Sequence, residues 1–221
     1  ELNNSDAFNL YSEYQLWYKI FDFLDITSGL TENYSKVKSQ FFGDHYGFNL
    51  AGFVQLEARP LSKLKAIAGV RLEHFSLDGI SEGTIPILRA GLNLQAADYT
   101  FIRASFGQGY RFPSIAEKYA ATTLGSVKIF PNPYVTSESG WTSEAGIIQG
   151  VKIGEISGQA DLSFFISQGK ELIEYEFGLF EDPFTNLVDL GFQATNIERS
   201  RIYGTEFELI LNRTFGNLTT T

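Results

Sequence analysis

Apolar and polar residues alternate with a period of two along most of the chain, and this feature constrains the fold most. Leu64, Ala66, Ala68, Val70 and Leu72 are interleaved with Lys65, Ile67, Gly69, Arg71 and Glu73. Leu88, Ala90, Leu92 and Leu94 alternate with Arg89, Gly91, Asn93 and Gln95, and Ala160, Leu162, Phe164 and Ile166 with Gln159, Asp161, Ser163 and Phe165. Successive side chains of a strand point to opposite faces, so each stretch reads as a strand with one apolar and one polar face. The pattern predicts strands over 7–18, 21–33, 48–59, 64–77, 86–96, 99–110, 141–152, 156–176 and 190–213. Helix signals are nearly missing; only 113–119 could form a short turn inside a loop.

The connections alternate in length. Short links fall at 60–63, 96–98, 152–155 and 214–217, and long ones at 34–47, 78–85, 111–140 and 177–189. A meander with short turns at one end and long loops at the other is the pattern of an outer-membrane barrel, whereas a soluble sandwich mixes link lengths and crosses over by Greek keys. No apolar run approaches the ~18 residues of a spanning helix. The mean hydropathy of −0.08 suits a barrel whose strands alternate. The expected fold is therefore all-β: an antiparallel up-and-down transmembrane β-barrel, with 1–221 forming part of one barrel domain.

Side-chain chemistry agrees. Tyr99, Phe101, Phe207 and Phe215 sit near short-turn ends, and Tyr110, Trp141, Phe75 and Tyr203 lie elsewhere along the strands, as two interfacial girdles would require. Phe and Tyr also favour any strand. Gln55, Glu57, Arg71, Glu73, Arg89, Asn93, Gln95, Arg103, Glu144, Asp161, Glu206 and Glu208 all project opposite the apolar stripe. In a wide barrel that side is the lumen, where opposite charges pair across neighbouring strands. With 17 Lys+Arg against 26 Asp+Glu the net charge is −9, which repels a phosphate backbone and argues against a nucleic-acid partner.

The absence of Cys excludes a disulfide framework, a thiolate metal site and a cysteine nucleophile. The chain also lacks Met and begins at Glu1 with no signal-peptide pattern, so Glu1 is expected to be a processed terminus or the start of a fragment. Leu218-Thr219-Thr220-Thr221 begins a further strand. Unpaired backbone groups are costly in lipid, so the chain is expected to be a piece of a larger sheet.

From Phe48 onward the sequence resembles the barrel of TonB-dependent outer-membrane receptors, and its overall style is similar to those of the Bacteroidetes. The match is carried by Gly107-Gln108-Gly109-Tyr110-Arg111-Phe112-Pro113-Ser114, then Pro131-Asn132-Pro133-Tyr134, then Glu138-Ser139-Gly140-Trp141-Thr142-Ser143-Glu144. Asn196 and Ile202-Tyr203-Gly204-Thr205-Glu206-Phe207-Glu208 resemble a later strand of the family, and 49–57 with 69–73 an earlier hairpin. The resemblance implies a plugged barrel of about 22 strands, of which this chain is a partial segment without the plug or terminal strands. It implies an outer-membrane receptor of a Gram-negative bacterium that binds a scarce ligand (siderophore, cobalamin, saccharide or similar) outside the cell. Import would draw energy from the TonB complex through an N-terminal region absent here, with outer-membrane lipid and the ligand as the other partners. Tyr110, Arg111, Pro113, Asn132, Pro133, Glu138, Trp141, Glu144, Gly204 and Glu206 are the motif positions, expected to be structural, with Arg111 pairing a carboxylate such as Glu138 or Glu144. Haem receptors of the family typically place a His between the two boxes; none lies between Pro113 and Asn132.

Signals for chemistry are poor. Asp44-His45 could begin a triad, but no Gly-x-Ser-x-Gly elbow supplies a nucleophile. The segment from Gly107 to Phe112 lacks the third glycine of a dinucleotide loop. Glu171, Glu174, Glu176, Glu181 and Asp182 could be a glycosidase pair, but read first as a solvated rim or an ion clamp. The chain is expected not to be an enzyme, with no catalytic residue, cofactor or resident metal. Ligand contact is expected in the long loop, through the aromatic faces of Tyr119, Phe130 and Tyr134 and the charges of Lys118 and Lys128. Two other readings stand beside this one: a small outer-membrane barrel enzyme of protease or lipase type, and a soluble β-sandwich binding module.

Overall fold

The computed structural model describes residues 4–124, 127–181, 186–215 and 218–220. Nine long strands form its wall: β1 (Ser5–Phe21), β2 (Leu24–Ser39), β3 (Gly43–Leu61), β4 (Leu64–Leu77), β5 (Ile80–Ala97), β6 (Thr100–Arg111), β9 (Glu138–Ile153), β10 (Ile156–Glu181) and β11 (Val188–Phe215). Between β6 and β9 the chain leaves the wall and forms α1 (Ile115–Tyr119), β7 (Thr122–Leu124) and β8 (Val127–Phe130). A short β12 (Leu218–Thr220) pairs with the end of β11. The wall strands lie side by side in chain order, each antiparallel to the next, so the expected up-and-down meander is what forms.

Four hairpins at one end turn within two residues, at 22–23, 62–63, 98–99 and 154–155. The opposite end departs from expectation. The ladder of β2 and β3 runs to Ser39 opposite Gly43, β4 turns into β5 through Asp78 and Gly79 alone, and β10 with β11 remains paired to Glu181 opposite Val188. Three of the four anticipated long loops are thus mostly strand. The alternation that marks a strand in sequence needs apolar residues along one face, and it fades where small and polar residues such as Ser35, Lys36, Lys38, Ser39 and Asp44 take both faces. The backbone ladder does not depend on it. Asp78 and Gly79 turn with positive φ (52° and 80°), which glycine adopts freely and aspartate tolerates. Asp182 and residues 216–217 lie outside the described residues.

Register sorts the side chains by face. Arg71, Arg89 and Arg103 share one face with Glu57, Glu73, Glu144, Asp161 and Glu206. On that face Arg103 donates to Glu144 (3.1 Å) and Asp161 (2.6 Å), Arg71 donates to Glu73 (3.2 Å) and Thr31 (2.8 Å), and Arg59 bridges Asp25 and Glu57. Glu206 lies opposite Ser163 and pairs with no cation among the described residues. Val70, Leu72, Leu92, Leu162 and Phe164 occupy the opposite face and are exposed. Along β11 that face runs Leu211, Leu209, Phe207, Thr205 and Tyr203 before reaching Arg201, which donates to Gln168 (3.0 Å). An apolar band therefore starts near the tight hairpins and stops short of the far end. Buried hydrophobic residues collect beyond it, around the excursion between β6 and β9, where Pro113, Ala120, Phe130, Val135 and Ala194 are enclosed.

Candidate functional site

The excursion 112–137 is tied down at its neck. Arg111 and Glu138 are register partners at the ends of β6 and β9, and Arg111 Nε donates to Glu138 at 2.6 Å. Its two terminal nitrogens form a fork on Glu117 (2.9 and 3.0 Å), the geometry a planar guanidinium favours with a carboxylate. Glu117 is also the third residue of α1: Ser114 caps the helix by accepting the Glu117 N–H, and the Ser114 N–H donates back to Glu117 (2.7 Å). This capping box satisfies donors that a one-turn helix would otherwise leave open. The Glu138 carboxylate accepts a further bond from the Ile173 N–H of β10 (3.0 Å).

These contacts set the charge states. The Arg111 bond holds Glu138 below the usual carboxylate value against a smaller effect of burial. Burial pushes Glu117 up, but the Arg111 fork and the two Ser114 bonds together outweigh it and leave the carboxyl lowered. Arg111 is raised, first by Glu138 and then by Glu117. The node is a fixed cation between two fixed anions.

From the neck, α1 reaches one flank of the wall. The Tyr119 ring stacks on His45 of β3 at 3.8 Å, and burial followed by the nearby Asp78 carboxylate raises its phenol pKa. His45 Nδ1 lies 2.7 Å from Asp78 and Nε2 lies 2.6 Å from the Phe42 carbonyl. The Ala121 N–H donates to the Phe41 carbonyl (3.0 Å). Phe112 fills the space behind, stacked on Phe75 at 4.1 Å and edge-on to Tyr110 at 4.8 Å.

The returning segment reaches the other flank. β8 adds to the free edge of β11 in parallel, Lys128 opposite Gly191 and Phe130 opposite Gln193. Gly191 permits this approach: a Cβ there would lie 2.3 Å from the Lys128 carbonyl oxygen and 2.6 Å from the Phe130 ring. Asn132 donates to the Ala194 carbonyl (2.9 Å) and accepts from the Tyr134 N–H (3.1 Å), while its own N–H donates to the Lys118 carbonyl (2.8 Å). Asn196 accepts from the Thr136 N–H (2.9 Å) and donates to the carbonyls of Thr136 (2.9 Å) and Glu171 (2.7 Å). The excursion is a strap running from the β2–β3 tip on one side to the β10–β11 hairpin on the other.

Five of the ten motif residues fasten the strap. Arg111, Pro113, Asn132 and Glu138 hold it directly, and Tyr110 donates to Glu82 (3.1 Å), which Ser137 also reaches. Trp141 packs on Phe106 (6.2 Å) on the apolar face, and Pro133 sits in the exposed turn. Glu144 bonds Arg103, so of the two carboxylates expected for Arg111 only Glu138 is its partner. Gly204 leaves room for the Phe165 ring, 2.9 Å from where its Cβ would lie.

The five expected contact residues separate. Phe130, 3% exposed, packs against Phe180 (5.9 Å). Tyr119 is committed to His45, and Lys128 pairs with Asp189 (2.8 Å). Lys118 is half-buried on α1, and Tyr134 is 87% exposed at the strap's turn. Below the neck lies a groove of about 620 Å³, whose floor includes Gly109, Gly140 and Gly169, register partners across β6, β9 and β10. The separate glycines are visible in the sequence, but only the register aligns them. His45, read from sequence as a possible triad member, lies instead in a strand and serves the strap. Among the described residues no cluster of three or more His, Asp or Glu is placed to hold a metal.

Comparison with solved structures finds the same fold in larger receptors. The siderophore receptor PirA from Pseudomonas aeruginosa superposes with a TM-score of 0.78 at 17% identity, covering 94% of this chain and 40% of that one. The Serratia marcescens hemophore receptor HasR, in complex with its hemophore HasA and heme, gives 0.73 at 14%, with 97% and 40% coverage. The copper transporter OprC gives 0.71 at 18%, with 97% and 36%. This chain therefore spans about two-fifths of the length of these proteins, and at such identities the likeness is one of fold. No curated protein matches the sequence. The profile of the family described as TonB dependent receptor-like, beta-barrel, matches residues 2–221. A meander with one charged face, an apolar band on the other and a strap fastened by part of its motif thus finds its place: the chain belongs to the β-barrel family of TonB-dependent receptors.

Proposed function

We propose that the chain forms part of the wall and mouth of an outer-membrane importer that captures a scarce ligand outside a Gram-negative cell and takes it inward with energy from the TonB complex. The observation that carries this reading is the strap, fixed at both flanks across the strand ends remote from the tight hairpins. The apolar face meets lipid and the charged face lines the lumen. Nine wall strands out of about 22 would be two-fifths of a barrel. The TonB contact belongs to a region outside this sequence, and all of 1–221 serves one barrel domain.

Ligand capture falls to what the strap leaves accessible: Tyr134, Lys118 and the glycine-floored groove beneath. Phe130, Tyr119 and Lys128 act by holding the strap in place. A fixed strap loses little entropy on binding, which favours affinity over a free loop of equal length. The neighbours named for siderophore, hemophore and copper make small iron- or metal-bearing ligands the first to test. The experiment is uptake by cells expressing the receptor, with a ferric siderophore, cobalamin and an oligosaccharide as probes. Tyr134→Ala should reduce uptake of the probe that is imported, with surface expression intact. Uptake of none of the three, or a Tyr134→Ala variant equal to wild type, would move the reading elsewhere.

A further inference from the structure

The charge lattice of the inner face leaves one guanidinium over. Among the described residues Arg59, Arg71, Arg103 and Arg111 each reach a carboxylate. Arg89 reaches none, although the chain carries nine more acidic than basic groups (26 − 17). Its cross-strand neighbours explain this: Arg89 lies between Gly69 on β4 and Gly107 on β6, and neither has a side chain to answer it. Its stem lies close over Gly69, whose Cβ would be 3.2 Å from Arg89 Cγ.

Arg89 shares a groove of about 310 Å³ with Arg71, Gln15, Thr27 and Gln55. Arg71 spends Nε on Glu73 and Nη2 on Thr31, which leaves Nη1. The lining contains no Asp or Glu. Two guanidiniums and three neutral side chains able to donate hydrogen bonds thus line this space beside Phe53, and it has room for an oxyanion together with water. Like charges side by side repel unless an anion joins them, and paired guanidiniums match the planar oxygens of a carboxylate or the tetrahedral oxygens of a phosphate.

We propose that this groove is an oxyanion-binding site in the lumenal wall, which takes a carboxylate or phosphate group of a solute in the lumen. The inference rests on reading the charged face as an import lumen, and adds that what passes this wall carries a negative group. Arg89 supplies the fork, Arg71 the second positive charge, and Gln15, Gln55 and Thr27 complete the shell.

The test titrates the purified receptor in detergent at low ionic strength with inorganic phosphate and, separately, with citrate, by calorimetry. Saturable binding of one of them is expected, with phosphate or citrate showing which oxyanion fits. Arg89→Gln should weaken it at least about tenfold, as expected for loss of a charge-assisted pair. Arg89→Lys keeps the charge but loses the fork, and should bind with intermediate affinity. Arg199→Gln, on the opposite face, should bind like wild type, and added salt should weaken binding in proportion to charge. Binding of neither anion, as when an acidic segment of the receptor itself fills the groove, overturns the proposal. So does equal affinity in Arg89→Gln. If Arg89→Gln fails to fold, the Arg89→Lys titration decides the matter in the same way. Anion binding is read without transport, so its failure with uptake intact leaves the importer reading standing, and the reverse result separates them equally well.

Discussion

Replacing Arg111 with Gln should release the strap without unfolding the wall. Three hydrogen bonds from the guanidinium hold Glu117 and Glu138, at 2.6 to 3.0 Å, and both carboxylates are largely shielded, with side-chain exposures of 16% and 21%. Bonds to charged groups are worth about 1.5–3 kcal/mol when enclosed, and exposed ion pairs about 0–1. Arg111 is itself 45% exposed, so the node as a whole should contribute about 1–3 kcal/mol. Hydrogen–deuterium exchange at 112–137 should then accelerate by roughly 5- to 150-fold, at about tenfold per 1.4 kcal/mol. Amides of β4 and β5 should keep their protection. Acid provides an independent check. Glu117 and Glu138 have folded pKa values below the ordinary 4.5. Their contribution is therefore fully present above about pH 4.5 and is lost as pH falls through the lowered folded values. In Arg111→Gln the two carboxyls lose their main partner and their folded pKa values move up toward the ordinary one, so acid should loosen the variant's strap less than it loosens the wild-type strap. Unchanged exchange at 112–137 in the variant, at neutral and acid pH alike, would refute the view of this node as the strap's lock.

Three other outcomes follow from the same geometry. Phe130→Ala removes a ring that is almost fully enclosed between Gly191 of β11 and Phe180 of β10 and should cost about 3–5 kcal/mol of strap docking; limited proteolysis should then cut near 127–130 first, and wild-type resistance there would count against it. Leu72→Arg places a charge on the apolar band and should destabilise the barrel in bilayers by about 2–4 kcal/mol near the midplane, measured by reversible unfolding in lipid vesicles; no change would mean that this face does not meet lipid. Glu144→Gln leaves Arg103 its 2.6 Å bond to Asp161, so heat-modifiable gel migration should persist, and its loss would show the lattice to be essential for assembly.

The sequence alone determined the wall. Period-two alternation requires a strand with two unlike faces, and tight turns at one end leave few alternatives to a meander, so strand order and the division into charged and apolar faces were legible before any coordinates. The motif from Tyr110 to Glu138 also marked the one true excursion among the described residues. The lengths of β2 and β3 beyond the apolar band were not legible, because small and polar residues such as Ser35, Lys36, Lys38 and Asp44 interrupt the alternation there while the backbone pairing runs on. Nor was the fate of Tyr119 and Phe130, two aromatics in a loop that look equally available for a ligand. Their burial comes from contacts across large sequence separations: His45 with Tyr119, Gly191 with Lys128 and Phe130, and Asn196 with Thr136. Arg89 is the clearest case. Its strand and face follow from parity, but whether a carboxylate answers it depends on which residues the neighbouring strands bring alongside. Register alone placed glycines there, because pairing between strands is a relation between distant segments that no local pattern contains.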